Sequence, residues 1–377
     1  MTNVLLALDK FKGSLTATEA CAVLADALRT AGGGTLSVTE HPIADGGEGT
    51  VAAALAAGFT AHEVVVPDAL GQRHRNQIAR RDESAVIELA AACGLPGIGH
   101  PTPQTHAHAS TAGLGHAIAA ALNDGARELL IGIGGSASTD AGLGLLHALG
   151  AEIVDDAGHP VTPAAGQLSR VAGIDLRPAR QRLGDAVLTV ACDVTAPLTG
   201  PEGAAHVFAV QKGASPDTLN DLDARLAHVA ALLPGGSRLA ATPGAGAAGG
   251  TGFALLALGA RLKSGAEQVL ALTGFADQAA AADIVIVGEG SLDAQTLQGK
   301  GPAVIAAAAH AAGVERVWAV AGRISLGESD LATAGISQAW SLRDRARSDA
   351  DSSDRAAVLL RELGRDLAAE IAAQEVP

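Results

Sequence analysis

The stretch 283–302, DIVIVGEGSLDAQTLQGKGP, decides the fold class of this chain of 377 residues. It opens with Ile284–Val287, a run of β-branched apolar residues that is typical of a buried strand in a parallel sheet. A turn with four glycines follows, and it carries Glu289, Asp293 and Lys300. Ligands of open α/β sheets bind beyond the carboxyl ends of the strands, so this pattern predicts a functional turn on an α/β fold.

Other parts of the chain repeat this design, in which an apolar strand ends in a turn rich in glycine. The turns that carry charged residues are DKFKGS (9–14), ADGGEGT (44–50), GIGGSASTD (132–140) and ACDVTAPLTGP (191–201), and GAGAAGGTG (244–252) is uncharged. Glycine lets the backbone approach a phosphate closely, and successive N–H groups then converge on the anion. Apolar strands alternate with helical patterns along the chain, which predicts a parallel or mixed α/β fold.

The two ends of the chain alternate more regularly between strands and helices than the middle, which has more irregular glycine and proline segments. We therefore predict a discontinuous first domain, residues 1–65 and 282–377, with a doubly wound, mostly parallel sheet of the flavodoxin or Rossmann kind. Residues 66–281 are predicted to form an inserted domain of mixed α/β type. The polar stretch 341–354 is interpreted as a solvated loop before a last amphipathic helix.

The charge and composition of the chain argue against several classes of protein. A formal net charge of −14 without a block of Lys or Arg disfavours a nucleic-acid partner, because phosphate neutralisation needs a basic face. The 3 cysteines lie far apart and give no disulfide framework. No apolar run approaches the roughly 18 residues that span a bilayer, and the first residues do not resemble a signal peptide. We therefore expect a cytoplasmic monomer or homodimer that acts on small molecules, without a nucleic-acid or membrane partner.

The charged turns hold the residue types that phosphoryl transfer requires. This reaction needs a phosphate cradle, a Mg²⁺ ion held by a carboxylate, a cation near the moving charge and a base for the acceptor hydroxyl. The candidates are the carboxylates Asp45, Glu48, Asp193, Glu289 and Asp293 and the amines Lys10, Lys12, Lys212 and Lys300. The pattern G-x-x-x-x-G-K-[ST] is absent from the sequence, so a P-loop mechanism is not predicted.

A dinucleotide-binding turn is an alternative interpretation of one segment. Gly132, Gly134 and Ala137 match G-x-G-x-x-A directly after a predicted strand. Asp155 ends the next strand, where such folds bind ribose. An NAD(P)-dependent dehydrogenase of a small hydroxy acid would use this turn, but this interpretation gives the other charged turns no role. A non-catalytic protein that binds an organic acid is the second alternative.

The order of the segments resembles that of a known family. The bacterial glycerate kinase family, of the glycerate 2-kinase type, has successive signatures that are similar to DKFKGSLTATEA, IADGGEGT, GIGGSASTDAGLGLLHALGA, ACDVTAPLTGPEGAAHVFAVQKGA, PGAGAAGGTGFALLALGA and GEGSLDAQTLQGKGP. The resemblance covers residues 3 to about 325. At Ser138 and Thr139 this chain departs from the Thr and Asn that are usual in the family, and we expect local tuning only.

This resemblance implies a fold and a reaction. It implies two α/β domains with the active site in the cleft between them. It also implies ATP as co-substrate, Mg²⁺ as cofactor and D-glycerate as acceptor, with 2-phosphoglycerate favoured over 3-phosphoglycerate as the product.

The candidate residues receive roles on this basis. The predicted catalytic residues are Asp193, Asp45 and Lys300, and the predicted metal ligands are Asp193, Glu289 and Asp293. The substrate is expected to contact Lys10, Lys12, Ser14, Gly46 and Gly47, and the nucleotide phosphates Gly134, Gly135, Ser136, Ser138 and Gly290. Asp193 is thus a Mg²⁺ ligand or the base, and Asp45 is the alternative base. The turn 134–138 holds either the ATP phosphates or the substrate carboxylate.

Ordinary structural roles compete with several of these assignments. A carboxylate such as Asp193 after a strand often caps a helix or a turn, and an Asp before two glycines, such as Asp45, often forms an Asx turn. Lys300 is equally explained as a solvated loop lysine, and Ser14 as a local turn residue.

Overall fold

The predicted strand at Ile284–Val287 is present in the computed structural model and extends to Leu292. The structure describes residues 1–294, 296–298 and 301–374. The strands in these residues are β1 (Thr2–Leu8), β2 (Leu36–Glu40), β3 (Thr60–Pro67), β4 (Arg73–Arg81), β5 (Ser84–Glu88), β6 (Glu128–Gly132), β7 (Glu152–Val154), β8 (Gly173–Asp175), β9 (Val187–Ala191), β10 (Arg261–Lys263), β11 (Ile284–Leu292), β12 (Arg316–Ile324) and β13 (Gln338–Ser341).

Helices follow most of these strands. The α-helices are α1 (Ala17–Ala31), α2 (Thr50–Ala56), α3 (Leu89–Cys93), α4 (Pro103–His108), α5 (Ala112–Asn123), α6 (Leu143–Ala148), α7 (Arg177–Leu183), α8 (Ala204–Phe208), α9 (Leu219–Ala231), α10 (Gly236–Ala240), α11 (Ala247–Ala257), α12 (Gly265–Thr273), α13 (Phe275–Ala280), α14 (Gly301–Ala311), α15 (Glu328–Thr333), α16 (Asp349–Asp354) and α17 (Ala356–Gln374). Short 3₁₀-helices lie at Leu95–Gly97, Ala165–Arg170, Val210–Lys212, Pro216–Thr218, Thr296–Gln298 and Arg343–Arg345.

The first of two units combines Met1–Asp45 with Ala266–Pro377. Among its described residues, parallel strands form one sheet in the order β13-β12-β11-β1-β2. Leu6 of β1 belongs to an apolar cluster with residues of α1 and α17, whereas Leu5 clusters with Ile305 of α14. Helices therefore cover both faces of this sheet, which is the doubly wound arrangement and explains the continuous apolar strands.

The second unit is Gly46–Gly265. Its larger sheet has the order β10-β9-β6-β5-β4-β3, in which β3, β4 and β5 are antiparallel and the other neighbours are parallel. Its core contains Leu114 and Ile118 of α5, Ile131 of β6 and Phe253 of α11. The parallel sheet of one unit and the mixed sheet of the other confirm the predicted mixed α/β fold class.

The contacts divide the chain at positions that differ from the predicted 65/66 and 281/282. Strand β3 pairs antiparallel with β4, with Val64 opposite Asn76, so it belongs to the mixed sheet of the second unit. Phe275 of α13 packs in one cluster with Leu5 and Val285 of the parallel sheet, which places α13 in the first unit. Sheet pairing and core packing, which are not visible locally in the sequence, thus set these boundaries.

The interpretation of residues 341–354 as a solvated loop is wrong. The stretch contains a 3₁₀-helix and α16, and Ser348 caps α16 by accepting a hydrogen bond from the backbone N–H of Asp351. Asp349 and Asp351 lie in the first turn of this helix, where negative charge is favourable. The polar composition therefore reflects a capped short helix, and the predicted last helix follows it as α17.

Across the described residues, no helix combines the length and the apolar composition that crossing a lipid bilayer requires.

Candidate functional site

A cavity of ≈ 570 Å³ lies in the first unit at the carboxyl ends of β1, β11 and β12. The predicted site residues that line it are Lys10, Lys12, Ser14, Asp45, Glu289, Gly290 and Asp293, and they are joined by Asp9, Thr296, Arg323, Arg343 and Asp349. Strands β1 and β11 are parallel neighbours, with Leu8 opposite Gly288, so the turns that follow them meet at one edge of the sheet. The structure thus brings together residues that lie nearly 300 positions apart in the sequence.

Lys10 lies between two carboxylates in this cavity. Its Nζ is 3.3 Å from Oδ1 of Asp45 and 3.6 Å from Oδ1 of Asp9. Burial opposes the charge of Lys10, but the attraction of Asp45 and Asp9 outweighs it and raises the pKa of the amine above its ordinary value. Burial raises the pKa of Asp9 to about 6, with the attraction of Lys10 opposing and the repulsion of Asp45 adding to the shift. Lys10 is therefore a firmly charged group with a fixed position.

Glu289 and Asp293 are linked through Thr296. The Thr296 hydroxyl donates to Oε1 of Glu289 at 3.0 Å, and its oxygen accepts from the backbone N–H of Asp293 at 3.2 Å. Burial raises the pKa of Glu289 to about 7, the hydrogen bond from Thr296 opposes the shift, and the charges of Asp9, Asp293 and Asp45 add to it. Burial is the main cause of the raised pKa of Glu289, and the smaller part that comes from negative neighbours is one that a bound cation would relieve.

Glycine is required in the floor of the cavity because two strands approach closely there. A Cβ atom on Gly322 of β12 would lie 2.5 Å from the carbonyl oxygen of Gly290. A Cβ atom on Gly290 would lie 3.1 Å from the backbone nitrogen of Lys12. These contacts explain why the chain uses glycine beside the charged residues of the turn after β11.

Magnesium fits this donor set without a dedicated cage. Within the ranges that the structure describes, no three His, Cys, Asp or Glu residues are grouped as a ready-made metal site. Mg²⁺ usually takes only one or two carboxylates from a protein and completes its shell with waters and substrate phosphates. Glu289 and Asp293, joined by Thr296, supply two such carboxylates. Asp193 belongs to the second unit, and its role as a ligand stays a prediction.

The other predicted site residues that the structure describes in the first unit are Lys12 and Ser14. Lys12 and Ser14 both line the cavity. The hydroxyl of Ser14 donates to the carbonyl of Phe11 at 3.0 Å, as the local turn interpretation expects. Lys300 lies outside the described residues, so its predicted role stays a prediction.

Sequence reasoning missed several residues that line this cavity. Asp9 follows β1 directly, and the strand-end argument that selected Lys10 would have selected it as well. Arg323 lies near the end of β12, and Arg343 and Asp349 lie in the polar stretch 341–354. The usable signal was a polar stretch that comes immediately after the short strand β13.

In the second unit, two glycine turns pack against each other. The backbone N–H of Gly134 donates to the carbonyl of Gly46 at 3.4 Å, and a Cβ atom on Gly134 would lie 2.6 Å from Cα of Gly47. Gly46 has a φ of +83°, and its Cβ atom would lie 2.7 Å from that of Ala191. The turn that is predicted to contact the substrate and the turn that is predicted to contact the phosphates therefore touch each other through their glycines.

A buried lysine, Lys212, donates hydrogen bonds to the turn 134–138. Nζ of Lys212 donates to Oγ of Ser136 at 2.6 Å and to the carbonyl of Ser138 at 2.8 Å. The sequence marks Lys212 as a candidate amine, but nothing in it indicates this pairing, since 76 positions separate Lys212 from Ser136. The structure thus adds a cation to the predicted anion-binding turn.

Asp193 comes shortly after the strand β9, which ends at Ala191 and is the parallel neighbour of β6. Its Oδ1 accepts a hydrogen bond of 2.9 Å from the backbone N–H of Gly265, where α12 begins. This contact matches the structural alternative of a helix cap. The assignment of Asp193 as a base or metal ligand stays a prediction.

The acid of the alternative dinucleotide interpretation is engaged in a local turn. Oδ1 of Asp155 accepts hydrogen bonds from the backbone N–H groups of Ala157 and His159, at 3.1 and 2.8 Å. Its other oxygen is 3.5 Å from Arg170. The position of Asp155 after β7 is therefore explained by turn formation.

Comparison with known proteins agrees with the motifs. A model described as the Glycerate kinase family matches residues 4–372. A glycerate kinase of Bacillus subtilis (strain 168) is 40% identical over 378 residues, with 98% of this chain and 97% of that protein covered. A glycerate 2-kinase of Escherichia coli (strain K12) is 39% identical over 312 residues, with 81% of each chain covered.

A solved structure gives the same result for the fold. The crystal structure of a protein assigned as glycerate kinase 2 from Salmonella typhimurium LT2 superimposes with a TM-score of 0.80 at 34% identity, and 99% of each chain is covered. The match of the family model extends to residue 372, well beyond the segments in which the motifs were found. This chain belongs to the glycerate kinase family.

Proposed function

We propose that this protein transfers the γ-phosphoryl group of ATP to a hydroxyl group of D-glycerate in a Mg²⁺-dependent reaction in the cytoplasm. Family membership supports the substrate, and the similarity to a protein named glycerate 2-kinase favours 2-phosphoglycerate as the product. The single observation that carries the proposal is the cavity of the first unit, where lysines and carboxylates from separate strand ends meet. This combination suits a reaction in which the protein mainly positions and stabilises charge.

The cations of the cavity are suited to the anionic groups of the substrates. Lys10 is held by Asp9 and Asp45, so its ammonium group is already ordered before a ligand arrives. Arg323 and Arg343 line the same cavity and offer planar groups that match carboxylate or phosphate oxygens. Such preorganised charge is the main contribution that a kinase makes to phosphoryl transfer.

Glu289 and Asp293 would hold the metal ion. The Thr296 hydroxyl fixes an oxygen of Glu289 by a hydrogen bond of 3.0 Å and accepts a hydrogen bond from the backbone N–H of Asp293. Mg²⁺ would screen the negative charge of the phosphates that bind beside it. The negative neighbours of Glu289 favour a cation at this position for the same reason that they raise its pKa.

Asp45 is our first choice for the base. It lies in the cavity beside Lys10 and is about half exposed, so a substrate hydroxyl has access to its carboxylate. The hydroxyl proton of D-glycerate would move to an Asp45 oxygen as the hydroxyl oxygen attacks the γ-phosphorus. Asp193 is the alternative base, although its Oδ1 already accepts from Gly265.

The turn 134–138 would bind an anionic group of one substrate. The N–H of Gly134 already donates to the carbonyl of Gly46, so the groups that we propose for the anion are the hydroxyl of Ser136 and the ammonium group of Lys212 that contacts it. Gly134 packs closely on Gly47, so the turn has no room for a Cβ atom at this position. A hydroxyl donor beside a cation suits the oxygens of a phosphate or a carboxylate.

The proposal is tested by incubating the purified protein with D-glycerate, ATP and Mg²⁺ and measuring the release of ADP. We expect ADP release to require all three components and to stop when EDTA removes the metal. Release of ADP without D-glycerate would contradict the proposal that D-glycerate accepts the phosphoryl group. Binding of D-glycerate without ADP release would indicate a binding protein instead.

A further inference from the structure

Lys212 is a buried cation in the second unit, with only 3% of its surface exposed. Its ammonium group has three N–H donors, and the acceptors recorded for it among the described residues are Oγ of Ser136 and the carbonyl of Ser138. Both acceptors belong to the turn 134–138. A buried charge is costly unless it is well paired, so the positive charge of Lys212 carries an energetic cost at this position.

The backbone around Lys212 fixes where the ammonium group can reach. The lysine ends the 3₁₀-helix Val210–Lys212, and Gly213 follows it with a φ of +99°. A Cβ atom on Gly213 would lie 2.5 Å from the carbonyl oxygen of Thr102, so this turn is packed tightly against the residue that caps α4. The side chain of Lys212 therefore extends from a tightly packed turn, which limits where its ammonium group can lie.

The hydrogen bond from Lys212 determines the direction in which the Ser136 hydroxyl can donate its own proton. The hydroxyl oxygen accepts from the ammonium group at 2.6 Å, so its own proton must point towards a different acceptor. No acceptor for this proton is recorded within the part of the chain that the structure describes. Ser136 is thus oriented as a donor, which is what an oxyanion site requires.

Among the ionisable groups that face Lys212, its own ammonium group is the one whose protonation state is expected to change near pH 7. Burial lowers the pKa of Lys212 to about 7, and the attraction of Asp140 opposes the shift. Asp140 is itself held by hydrogen bonds from Thr111, Gly142 and Gly144. Burial lowers the pKa of His106 to about 4, with repulsion by Lys212 adding to the shift, so this imidazole is neutral near pH 7.

We propose that Lys212 is a positioning residue for the reaction, whose ammonium group orients the Ser136 hydroxyl and adds positive charge to the turn 134–138, so that the turn binds an oxyanion of one substrate. The oxyanion is a carboxylate or a phosphate, and both present the same negatively charged acceptor oxygens. This inference rests on the proposed function because it concerns the same turn.

The proposal has a consequence for pH dependence. An anion in the turn favours the protonated form of Lys212, so binding takes up a proton when the free protein has lost it. Above about pH 7 the affinity for that substrate should therefore fall, since protonation must accompany binding. A lysine with a purely structural role would not couple substrate affinity to proton uptake.

The test compares Lys212→Met with Arg238→Met, which removes an exposed charge of the same unit from α10. KM is measured for ATP at saturating D-glycerate, and for D-glycerate at saturating ATP, from pH 6 to 9. Loss of a charge-assisted hydrogen-bond network should raise the KM of one substrate by roughly 10- to 100-fold in Lys212→Met. The same substrate should lose its pH dependence, and Arg238→Met should match the wild type.

Two further measurements keep the inference testable if Lys212→Met does not fold. Ser136→Ala should raise the KM of the same substrate, and calorimetry of the wild type in two buffers should show proton uptake when that substrate binds above pH 7. The substrate that responds identifies the group in the turn, the γ-phosphate end of ATP or the carboxylate of D-glycerate. Unchanged KM values in Ser136→Ala, or binding without proton uptake, would overturn the inference while wild-type turnover still supports the proposed function.

Discussion

Lys10 and Asp45 form an ion pair in which Nζ lies 3.3 Å from Oδ1. Lys10 follows β1, and Asp45 comes a few residues after β2, which is the parallel neighbour of β1. The pair therefore joins two strand ends at the edge of the sheet where the cavity lies. It places a candidate base beside a fixed cation, which is the arrangement that the proposed reaction needs.

Asp45→Asn should lower kcat by about 10²- to 10⁴-fold, the usual contribution of a general base. Asp193→Asn should lower it less, because the amide oxygen of Asn still accepts a hydrogen bond from Gly265. Steady-state kinetics with both variants checks this order, and Asp26→Asn, on the exposed side of α1, is the control. A larger loss in Asp193→Asn would transfer the role of base to Asp193.

Glu289→Gln should raise the Mg²⁺ concentration for half-maximal activity. The amide still accepts the hydrogen bond from Thr296 but lacks the charge that attracts the metal ion. Loss of an outer-shell partner alone lowers metal affinity by roughly 10- to 100-fold, so loss of a ligand should cost at least the lower figure. Activity is measured across a Mg²⁺ titration, together with the melting-temperature shift that Mg²⁺ and ADP produce.

Glu315→Gln, which changes an exposed carboxylate directly before β12, should keep the wild-type Mg²⁺ requirement. If Glu289→Gln also keeps it, Glu289 does not bind the metal.

Gly322→Ala should destabilise the first unit. The new Cβ atom would lie 2.5 Å from the carbonyl oxygen of Gly290, and neither backbone can yield without disturbing the pairing of β11 with β12. Overpacking of this kind costs about 1–3 kcal/mol, which urea unfolding measures. Gly327→Ala is the matched control, since its nearest neighbour is Oδ2 of Asp330 at 4.0 Å. Equal stability of the two variants would contradict the close approach at Gly322.

Much of the candidate site could be predicted because it obeys a local rule. Lys10 and Asp293 come just after buried strands and Glu289 lies in the last part of one, and parallel strands bring their carboxyl ends to one edge. The boundaries of the units could not be predicted in this way, because β3 joins its sheet through pairing with a later strand. The same holds for Lys212, whose position beside Ser136 depends on the packing of a 3₁₀-helix against Thr102.

The short helix in the stretch 341–354 could not be predicted from the sequence, for a different reason. Its polar residues fit both a solvated loop and a short capped helix, and only the cap at Ser348 and the ion pair of Arg343 with Asp349 distinguish the two. Nε of Arg343 is 2.6 Å from Oδ1 of Asp349, which holds the arginine at the wall of the cavity. Composition alone does not record such a geometric relationship.

Arg343→Ala should raise KM for one anionic substrate with a smaller effect on kcat. The guanidinium lines the cavity and is held by Asp349, so we expect it to contribute to binding in the ground state and in the transition state alike. Arg347→Ala removes an exposed arginine of the same stretch and should leave both constants unchanged. A shared effect of both variants would indicate a change in the stretch as a whole.

The pH dependence of stability should change in Lys212→Met. Burial lowers the pKa of Lys212 from 10.5 to about 7 in the folded protein, so the unfolded chain binds more protons between these values. Stability of the wild type therefore gains a rising contribution across this range, and below about pH 7 the group is protonated in both states. Urea unfolding at pH 7, 8 and 9 should show a smaller rise in Lys212→Met than in Arg238→Met. Parallel curves would show that Lys212 remains charged throughout.

The central claim is that this chain phosphorylates D-glycerate with residues of the cavity in its first unit. Phosphorus NMR of a reaction with D-glycerate, ATP and Mg²⁺ tests it most directly, with wild type and Asp45→Asn run side by side. We predict that the wild type converts the γ-phosphate of ATP into the signal of 2-phosphoglycerate and that Asp45→Asn does so far more slowly. A wild-type spectrum with only inorganic phosphate, or equal rates in the two proteins, would contradict it.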